Sequence, residues 1–177
     1  TGRPHIGNYF GAMRQFAALQ DQYEGFFMIV DLHALTSTDV QKDPVKLQND
    51  TIDVALDYLA IGLDPKKSVI FKQSDVAAHS ELTWIFDCLT TIPYLMRAHA
   101  FKDAEAKNKE INVGVFNYPM LMSSDILLYS ADVVPVGLDQ KQHIEIARDT
   151  TIKFNNLYGE TFKLPKALIM EEVATVP

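Results

Sequence analysis

The first sixteen residues, TGRPHIGNYFGAMRQF, place a histidine and small residues directly before an apolar helical pattern. If a helix begins near Gly7, its first backbone N–H groups have no partner inside the helix and lie at the positive end of its dipole. Such an end binds anions, and a phosphate can approach Gly7 and Asn8 closely, with His5 able to donate a hydrogen bond. The stretch predicts a phosphate site, although a turn with a simple helix cap uses the same residue types.

The stretch NYPMLMSSDILLY places a carboxylate on an apolar helical face. Met122 and Asp125 are three positions apart and therefore share that face with Tyr118 and Tyr129. Because a buried carboxylate is costly unless it is paired, two interpretations stay open. Asp125 is either a structural residue satisfied by a hydroxyl or a backbone amide, or the acceptor for the polar hydrogen of a mostly apolar ligand.

A third stretch, PVGLDQKQH, joins the end of an apolar run to a helix start. Gly137 allows another group to approach the backbone closely. Asp139 can accept hydrogen bonds from ribose hydroxyls, and Gln140 offers both a donor and an acceptor. The stretch predicts a contact with a nucleoside, and a plain helix cap is the alternative.

Metal binding is not expected. His33 and His143 are metal-ligand types, but no carboxylate or cysteine partner falls at a familiar zinc spacing. The sequence also contains no phosphate-binding P-loop, no dinucleotide fingerprint and no Gly-x-Ser-x-Gly nucleophile turn.

The elements that must position these residues alternate along the chain. Amphipathic patterns predict helices, and short apolar runs predict strands buried on both faces. Pro44 suits a first helical position, and Gly62 and Gly159 suit helix ends. The predicted helices cover 7–23, 43–62, 78–92, 115–130 and 139–159. The predicted strands cover 25–35, 66–76 and 131–137. Residues 97–110 are predicted to be polar surface.

This alternation predicts an α/β fold, an open parallel Rossmann-type nucleotide-binding sheet with helices on both faces. In such sheets, ligands bind beyond the carboxyl ends of the strands. That rule marks His33 after the first strand, Ser74 after the second, and residues 137–140 after the third.

Composition narrows the class further. The 177 residues are 47% hydrophobic and 22% charged, which predicts one compact domain. The net charge of -7 argues against nucleic-acid binding by this segment alone, because such binders carry clustered Lys and Arg. The apolar runs are too short to span a bilayer and no signal-peptide pattern opens the chain. A cytoplasmic protein without disulfides is expected, with the single Cys88 packed in an apolar helix.

Together these stretches resemble the class I aminoacyl-tRNA synthetases, and most closely their tryptophan branch. PHIGN is similar to the His-Ile-Gly-His signature of that class, with Asn8 in place of the last histidine. NYPMLMSSDILLYSADVVPVGLDQKQHIEIARD is a longer and more specific match, and DLHAL and FNNLYGETFKLP follow the same order. The resemblance covers essentially the whole chain.

The resemblance implies activation of L-tryptophan by ATP with Mg²⁺, transfer of the tryptophanyl group to tRNA(Trp), and a homodimer. In the role it gives Asp125, the carboxylate accepts the indole N–H. It assigns His5 and Asn8 to catalysis. The residues that it assigns to ATP are His5, Gly7, Asn8, Gly137, Asp139 and Val176. The residues that it assigns to tryptophan are Asp125, Met122, Tyr118, Gln140, His33, Val134 and Val136.

The same resemblance predicts that 1–177 is a partial catalytic domain. It is expected to lack the first strand, the Lys-Met-Ser-Lys-Ser loop and the helical anticodon-binding domain, and FKDAEAKNKE does not place a pyrophosphate-contacting lysine. Two alternatives remain: a member of the tyrosine branch, and a segment that binds tryptophan or its adenylate without turnover. An unrelated nucleotide-binding fold is the remaining possibility.

Overall fold

A computed structural model of the chain describes residues 14–106 and 111–169. It divides into two compact units, one containing residues 14–76 and the other spanning Ala77–Ile169. Within the described residues, no helix combines the length and the apolar character needed to cross a membrane.

The first unit is built around a parallel strand pair. Gly25 lies opposite Ser68 and Ile29 lies opposite Lys72. A long helix connects the two strands, and the Asp43 carboxylate caps it by accepting from the Lys46 backbone N–H at 2.9 Å. In chain order the elements are α1 (Arg14–Leu19), β1 (Gly25–Ile29), α2 (Asp31–Ala34), α3 (Thr38–Gln41), α4 (Pro44–Ala60), β2 (Ser68–Lys72) and a 3₁₀ turn (Gln73–Asp75).

Aromatic packing closes the core of this unit. The ring of Phe16 on α1 lies 5.4 Å from that of Phe27 on β1, and 6.5 Å from that of Tyr58 on α4, edge to face. Burial raises the pKa of the Tyr58 hydroxyl. The α4 helix is therefore held against the sheet by side chains that come from three different elements.

The second unit places one apolar helix, α8, against two others. In chain order its elements are α5 (Ala78–Leu89), α6 (Ile92–Leu95), α7 (His99–Ala106), α8 (Val113–Leu127), β3 (Val133–Val136), a 3₁₀ turn (Leu138–Gln140), α9 (Lys141–Tyr158) and β4 (Lys166–Ile169). Strands β3 and β4 pair in parallel, with Val133 opposite Lys166 and Val136 opposite Ile169.

The core of the second unit lies along α8. Met120 of α8 is fully buried with Phe86 of α5 and Ile144 of α9. The Phe86 ring also meets Phe154 and Phe162 edge to face, at 6.1 and 5.7 Å. A helix that is apolar around most of its circumference belongs in an interior, and α8 accordingly packs on both α5 and α9.

The predicted alternation of helices and parallel strands is confirmed, but several boundaries were wrong. The first strand ends at Ile29 because Asp31–Ala34 turns into a short helix. The helix predicted over 78–92 breaks at Thr90, whose backbone is extended, and the next helix begins at Ile92 with Pro93 in its first turn. The strand β4 was not predicted, since four residues after Pro165 carry no usable periodicity. Cys88 is exposed rather than packed inside.

Gly159 is expected to be a sensitive backbone position at the end of α9. It has φ +91° and ψ 166°, a conformation close to glycine-only, and an added Cβ would meet no atom within 4 Å. Gly159→Ala should therefore lower the free energy of unfolding by roughly 1–3 kcal/mol through backbone strain alone. Urea unfolding of the variant and of the neighbouring exposed control Glu160→Ala measures this. Equal stability of the two variants would contradict the assignment.

Candidate active site

The Asp125 carboxylate on α8 is held by a buried histidine from α5. His79 Nδ1 lies 2.7 Å from Asp125 Oδ1, and the two side chains are 0% and 7% exposed. The other ring nitrogen, Nε2, lies 2.9 Å from the Tyr129 hydroxyl, and the two rings are 5.5 Å apart. The structure thus gives Asp125 an imidazole partner, which neither of the two interpretations of this carboxylate had named.

His79 itself was missed at the level of sequence. It lies in the first turn of α5, where its side chain faces the protein interior together with Phe86. The available signal was a histidine on the apolar face of a helix predicted to lie over a parallel sheet. Nothing in the local sequence shows which carboxylate it meets, because Asp125 is 46 positions away.

Apolar side chains accompany Asp125 on the same unit. Met122 lies one helical turn before Asp125 and packs, half-buried, against the core. Val134 and Val136 lie on β3, where Val134 packs against that core and Val136 belongs to it. The second unit therefore contains three apolar residues predicted to contact tryptophan, together with the predicted polar acceptor.

A second histidine anchors the predicted tryptophan contact Tyr118. The Tyr118 hydroxyl lies 3.0 Å from His143 Nε2, and the rings are 5.1 Å apart. His143 is buried on α9, three positions after Gln140. In the part of the chain that the structure describes, no three His, Cys, Asp or Glu side chains come together as metal ligands.

The turn after β3 brings Gly137, Asp139 and Gln140 together. A Cβ at Gly137 would lie 2.7 Å from Asp139 Oδ1, so the absence of a side chain there makes room for the carboxylate. Gln140 Nε2 donates to Asp139 Oδ2 at 2.7 Å. No side-chain bond caps α9 at Gln140, which weighs against the plain-cap alternative and leaves the exposed carboxylate available to a ligand.

In the first unit, His33 and Ser74 follow the carboxyl ends of two paired strands, as predicted. The Asp31 carboxylate accepts from the Ser74 backbone N–H at 3.0 Å. Gln73, fully buried, accepts through Oε1 from the backbone N–H groups of Leu32 and His33, at 3.2 and 3.4 Å. Gln73 was not singled out in the sequence, and it fixes the short helix that carries His33.

The predicted phosphate residues His5, Gly7 and Asn8 lie outside the described residues, as does the predicted adenine contact Val176. His33 lies in the first unit, and the other described candidates lie in the second.

Burial shapes the electrostatics around Asp125. Burial, and then the charge of Asp125, raise the pKa of the Tyr129 hydroxyl. The phenol that faces His79 is therefore neutral at neutral pH and keeps its proton for hydrogen bonding.

Residues 1–176 match the family of class I tRNA synthetases for tryptophan and tyrosine. A tryptophan–tRNA ligase from Fusobacterium nucleatum is 53% identical over 178 aligned residues, 100% of the chain and 54% of that protein. Another, from Caldanaerobacter subterraneus, is 53% identical over 97% of the chain and 51% of its own length. The chain spans about half the length of these relatives.

Solved structures agree. A tryptophanyl-tRNA synthetase from Campylobacter jejuni, complexed with ADP and tryptophan, has a TM-score of 0.91 and 46% identity over 98% of the chain and 54% of its own. A tyrosyl-tRNA synthetase from Archaeoglobus fulgidus, complexed with L-tyrosine, has a TM-score of 0.76 at 17% identity over 96% of the chain and 51% of its own, and so shares the fold. The predicted α/β class with a Rossmann-type sheet is confirmed by this likeness.

Tyr129 is expected to add to the alkaline loss of stability. Its folded pKa is raised, while the unfolded chain ionises near the ordinary value of about 10. The unfolded state therefore releases the proton first as pH rises, and the free energy of unfolding falls above roughly pH 10.

Tyr129→Phe removes this contribution and should flatten the fall. Urea unfolding at about pH 8 and at stepped higher pH values measures it, with each protein referred to its own value at about pH 8. The other raised tyrosines, Tyr58 and Tyr94, contribute equally to both proteins. If the free energy of unfolding falls with pH equally in the two proteins, the raised pKa of Tyr129 is refuted.

Proposed function

The chain belongs to the class I tRNA synthetases for tryptophan and tyrosine, and from this premise we propose that it is the nucleotide-binding part of a tryptophan–tRNA ligase. The reaction is activation of L-tryptophan with ATP to tryptophanyl-adenylate, followed by transfer to tRNA(Trp). The observation that carries the choice of tryptophan is the Asp125 carboxylate one helical turn after Met122, on a unit whose strand β3 carries Val134 and Val136. Relatives with the tryptophan activity, at 53% identity, support the same choice.

An indole is a large apolar group with a single N–H donor, so its pocket needs apolar walls and one acceptor. Met122, Val134 and Val136 provide the walls, and Asp125 provides the acceptor. An ionised carboxylate accepts about four hydrogen bonds through its two oxygens. Asp125 can therefore accept from His79 and from the indole N–H at the same time.

Recognition of the indole by a buried acceptor gives strong discrimination. A phenylalanine side chain in the same pocket would leave the carboxylate without its ligand partner, which costs more than a difference in apolar fit. Tyr118, Gln140 and His33 are assigned to the amino acid group of the substrate. Tyr118 is supported by its hydrogen bond to the buried His143.

The nucleotide side of the proposal uses the turn after β3. Asp139, placed by Gly137 and Gln140, accepts from the ribose hydroxyls. His5, Gly7 and Asn8 stay the predicted contacts for the ATP phosphates, and Val176 stays the predicted contact for adenine.

The chemistry requires positioning and charge stabilisation more than proton transfer. A carboxylate oxygen of tryptophan attacks the α-phosphorus of ATP, and the bond to the bridging oxygen breaks as pyrophosphate leaves with Mg²⁺ as part of the substrate complex. A ribose hydroxyl of the tRNA then attacks the tryptophanyl carbonyl, and AMP leaves. No side chain of this chain is assigned as a general base.

The remaining parts of the proposal concern the setting of the chain. Residues 1–177 form a partial catalytic domain of a cytoplasmic homodimer. A lone cysteine suits a reducing compartment. Trp84, Ile85 and Cys88 form an exposed, largely apolar face on α5, and Trp84 is 71% exposed, which supports association with a second copy.

Asp125→Ala is expected to weaken L-tryptophan binding by roughly 10- to 100-fold, because a charge-assisted hydrogen bond is lost. Calorimetric titration of the chain with L-tryptophan, L-tyrosine and L-phenylalanine measures both affinity and selectivity. Asp132→Ala, which removes an exposed carboxylate nearby in the sequence, is the matched control and should bind like wild type. Preferential binding of tyrosine would favour the tyrosine branch, and tryptophan binding that is indifferent to Asp125→Ala would refute the assigned role.

Gly137→Ala is expected to weaken ATP binding while leaving stability nearly unchanged. The new methyl group would lie 2.7 Å from Asp139 Oδ1, and the flexible carboxylate moves rather than the backbone. Fluorescence titration with a ribose-labelled ATP analogue is compared for Gly137→Ala, Asp139→Ala and the double variant. Because the glycine acts through the carboxylate, the two effects should be non-additive. Additive losses of ATP affinity would contradict the proposal that Gly137 acts through the Asp139 carboxylate.

A further inference from the structure

His79 is a fully buried polar side chain that the proposed substrate contacts do not use. It joins α5 to α8 through Asp125 and to the residue after that helix through Tyr129. The Thr83 hydroxyl, one turn further along α5, lies 2.7 Å from the His79 backbone carbonyl oxygen and 3.0 Å from Ser124 Oγ, and its single proton can donate to either. The imidazole therefore lies in a fixed frame built by two packed helices.

The two neighbours of the ring determine which nitrogen carries its proton. The Tyr129 phenol is neutral at neutral pH, since its ordinary pKa is about 10 and burial and the charge of Asp125 raise that pKa further. Its O–H can donate to Nε2 at 2.9 Å, which places the ring proton on Nδ1. Nδ1–H then donates to Asp125 Oδ1 at 2.7 Å, a distance typical of a hydrogen bond to an ionised carboxylate.

We propose that His79 is a positioning residue for substrate specificity, whose Nδ1–H fixes the Asp125 carboxylate as the acceptor for the ligand's indole N–H. This inference rests on the proposed function. Tyr129 acts indirectly, by fixing the tautomer of the His79 ring.

The physical need for such a residue follows from the geometry of aspartate. Rotation of its carboxylate about the last side-chain bond is only weakly restricted. A hydrogen bond to Oδ1 from a buried, rigid donor removes that freedom. The ligand N–H then meets a preoriented acceptor, and a ligand without this hydrogen lacks that hydrogen bond.

Two variants of His79 separate its two nitrogens. In His79→Asn, the side-chain N–H₂ falls near the position of Nδ1 and can still donate to Asp125. In His79→Gln, the amide falls near the position of Nε2, so the contact with Tyr129 is kept and the bond to Asp125 is lost. Thr83→Val, which removes the neighbouring hydroxyl ties between α5 and α8, controls for loosened packing.

The readout is a ratio of two dissociation constants, measured by calorimetry on the 177-residue chain. One ligand is L-tryptophan, and the other is its analogue in which sulfur replaces the indole N–H. The preference for tryptophan should fall roughly 10-fold or more in His79→Gln, and stay near the wild-type value in His79→Asn and Thr83→Val. A merely structural role would weaken both ligands equally and leave this ratio unchanged.

The ligand-free state provides a second measurement, through the ¹⁵N resonances of the His79 ring in the wild-type chain. Protonation at Nδ1, lost in favour of mixed tautomers in Tyr129→Phe, supports the inference, and a proton on Nε2 alone overturns it. An unchanged ratio in His79→Gln overturns the inference and leaves the proposed function standing. A wild-type chain with no preference for tryptophan over the sulfur analogue overturns both.

Discussion

Every polar side chain that α8 carries into the protein must find a hydrogen-bond partner there, and the second unit is organised around this constraint. Ser123 and Ser124 donate back to carbonyls of their own helix, at Pro119 and Met120. Asp125 cannot bond to a helix carbonyl in this way, since an ionised carboxylate only accepts hydrogen bonds. His79 supplies a donor, so the position of α5 along α8 is fixed by a polar contact as well as by apolar packing.

The same logic applies at the other end of α8. Met120, Phe86 and Ile144 form the buried contact among three helices, which is apolar and tolerant of small shifts. The hydrogen bond between Tyr118 and His143 is directional and fixes α9 against α8. Because α9 begins immediately after the turn containing Asp139, this contact also fixes that turn relative to α8 within the second unit.

Features that depend on one residue and its neighbours along the chain could be predicted from the sequence. Pro44, Gly62 and Gly159 each mark a helix boundary through the geometry of a single residue, and the structure confirms all three. Asp125 stood out because a carboxylate on an apolar helical face violates the expected pattern.

The partners of such residues could not be predicted, because pairing depends on tertiary structure. The sequence shows His79 only as a histidine in a first helical turn. Its pairing with Asp125 depends on the packing of α5 on α8. The role of Gln73 likewise depends on the pairing of β1 with β2, which brings the His33 backbone N–H within hydrogen-bonding distance of the Gln73 side-chain carbonyl.

A crystal structure of the chain with L-tryptophan would test whether Asp125 accepts a hydrogen bond from the indole N–H while His79 bonds to the same carboxylate. We expect the indole nitrogen within about 3 Å of an Asp125 carboxylate oxygen, with His79 still bonded to the same carboxylate. An indole nitrogen paired with a different acceptor, while Asp125 contacts only protein groups, would contradict the account.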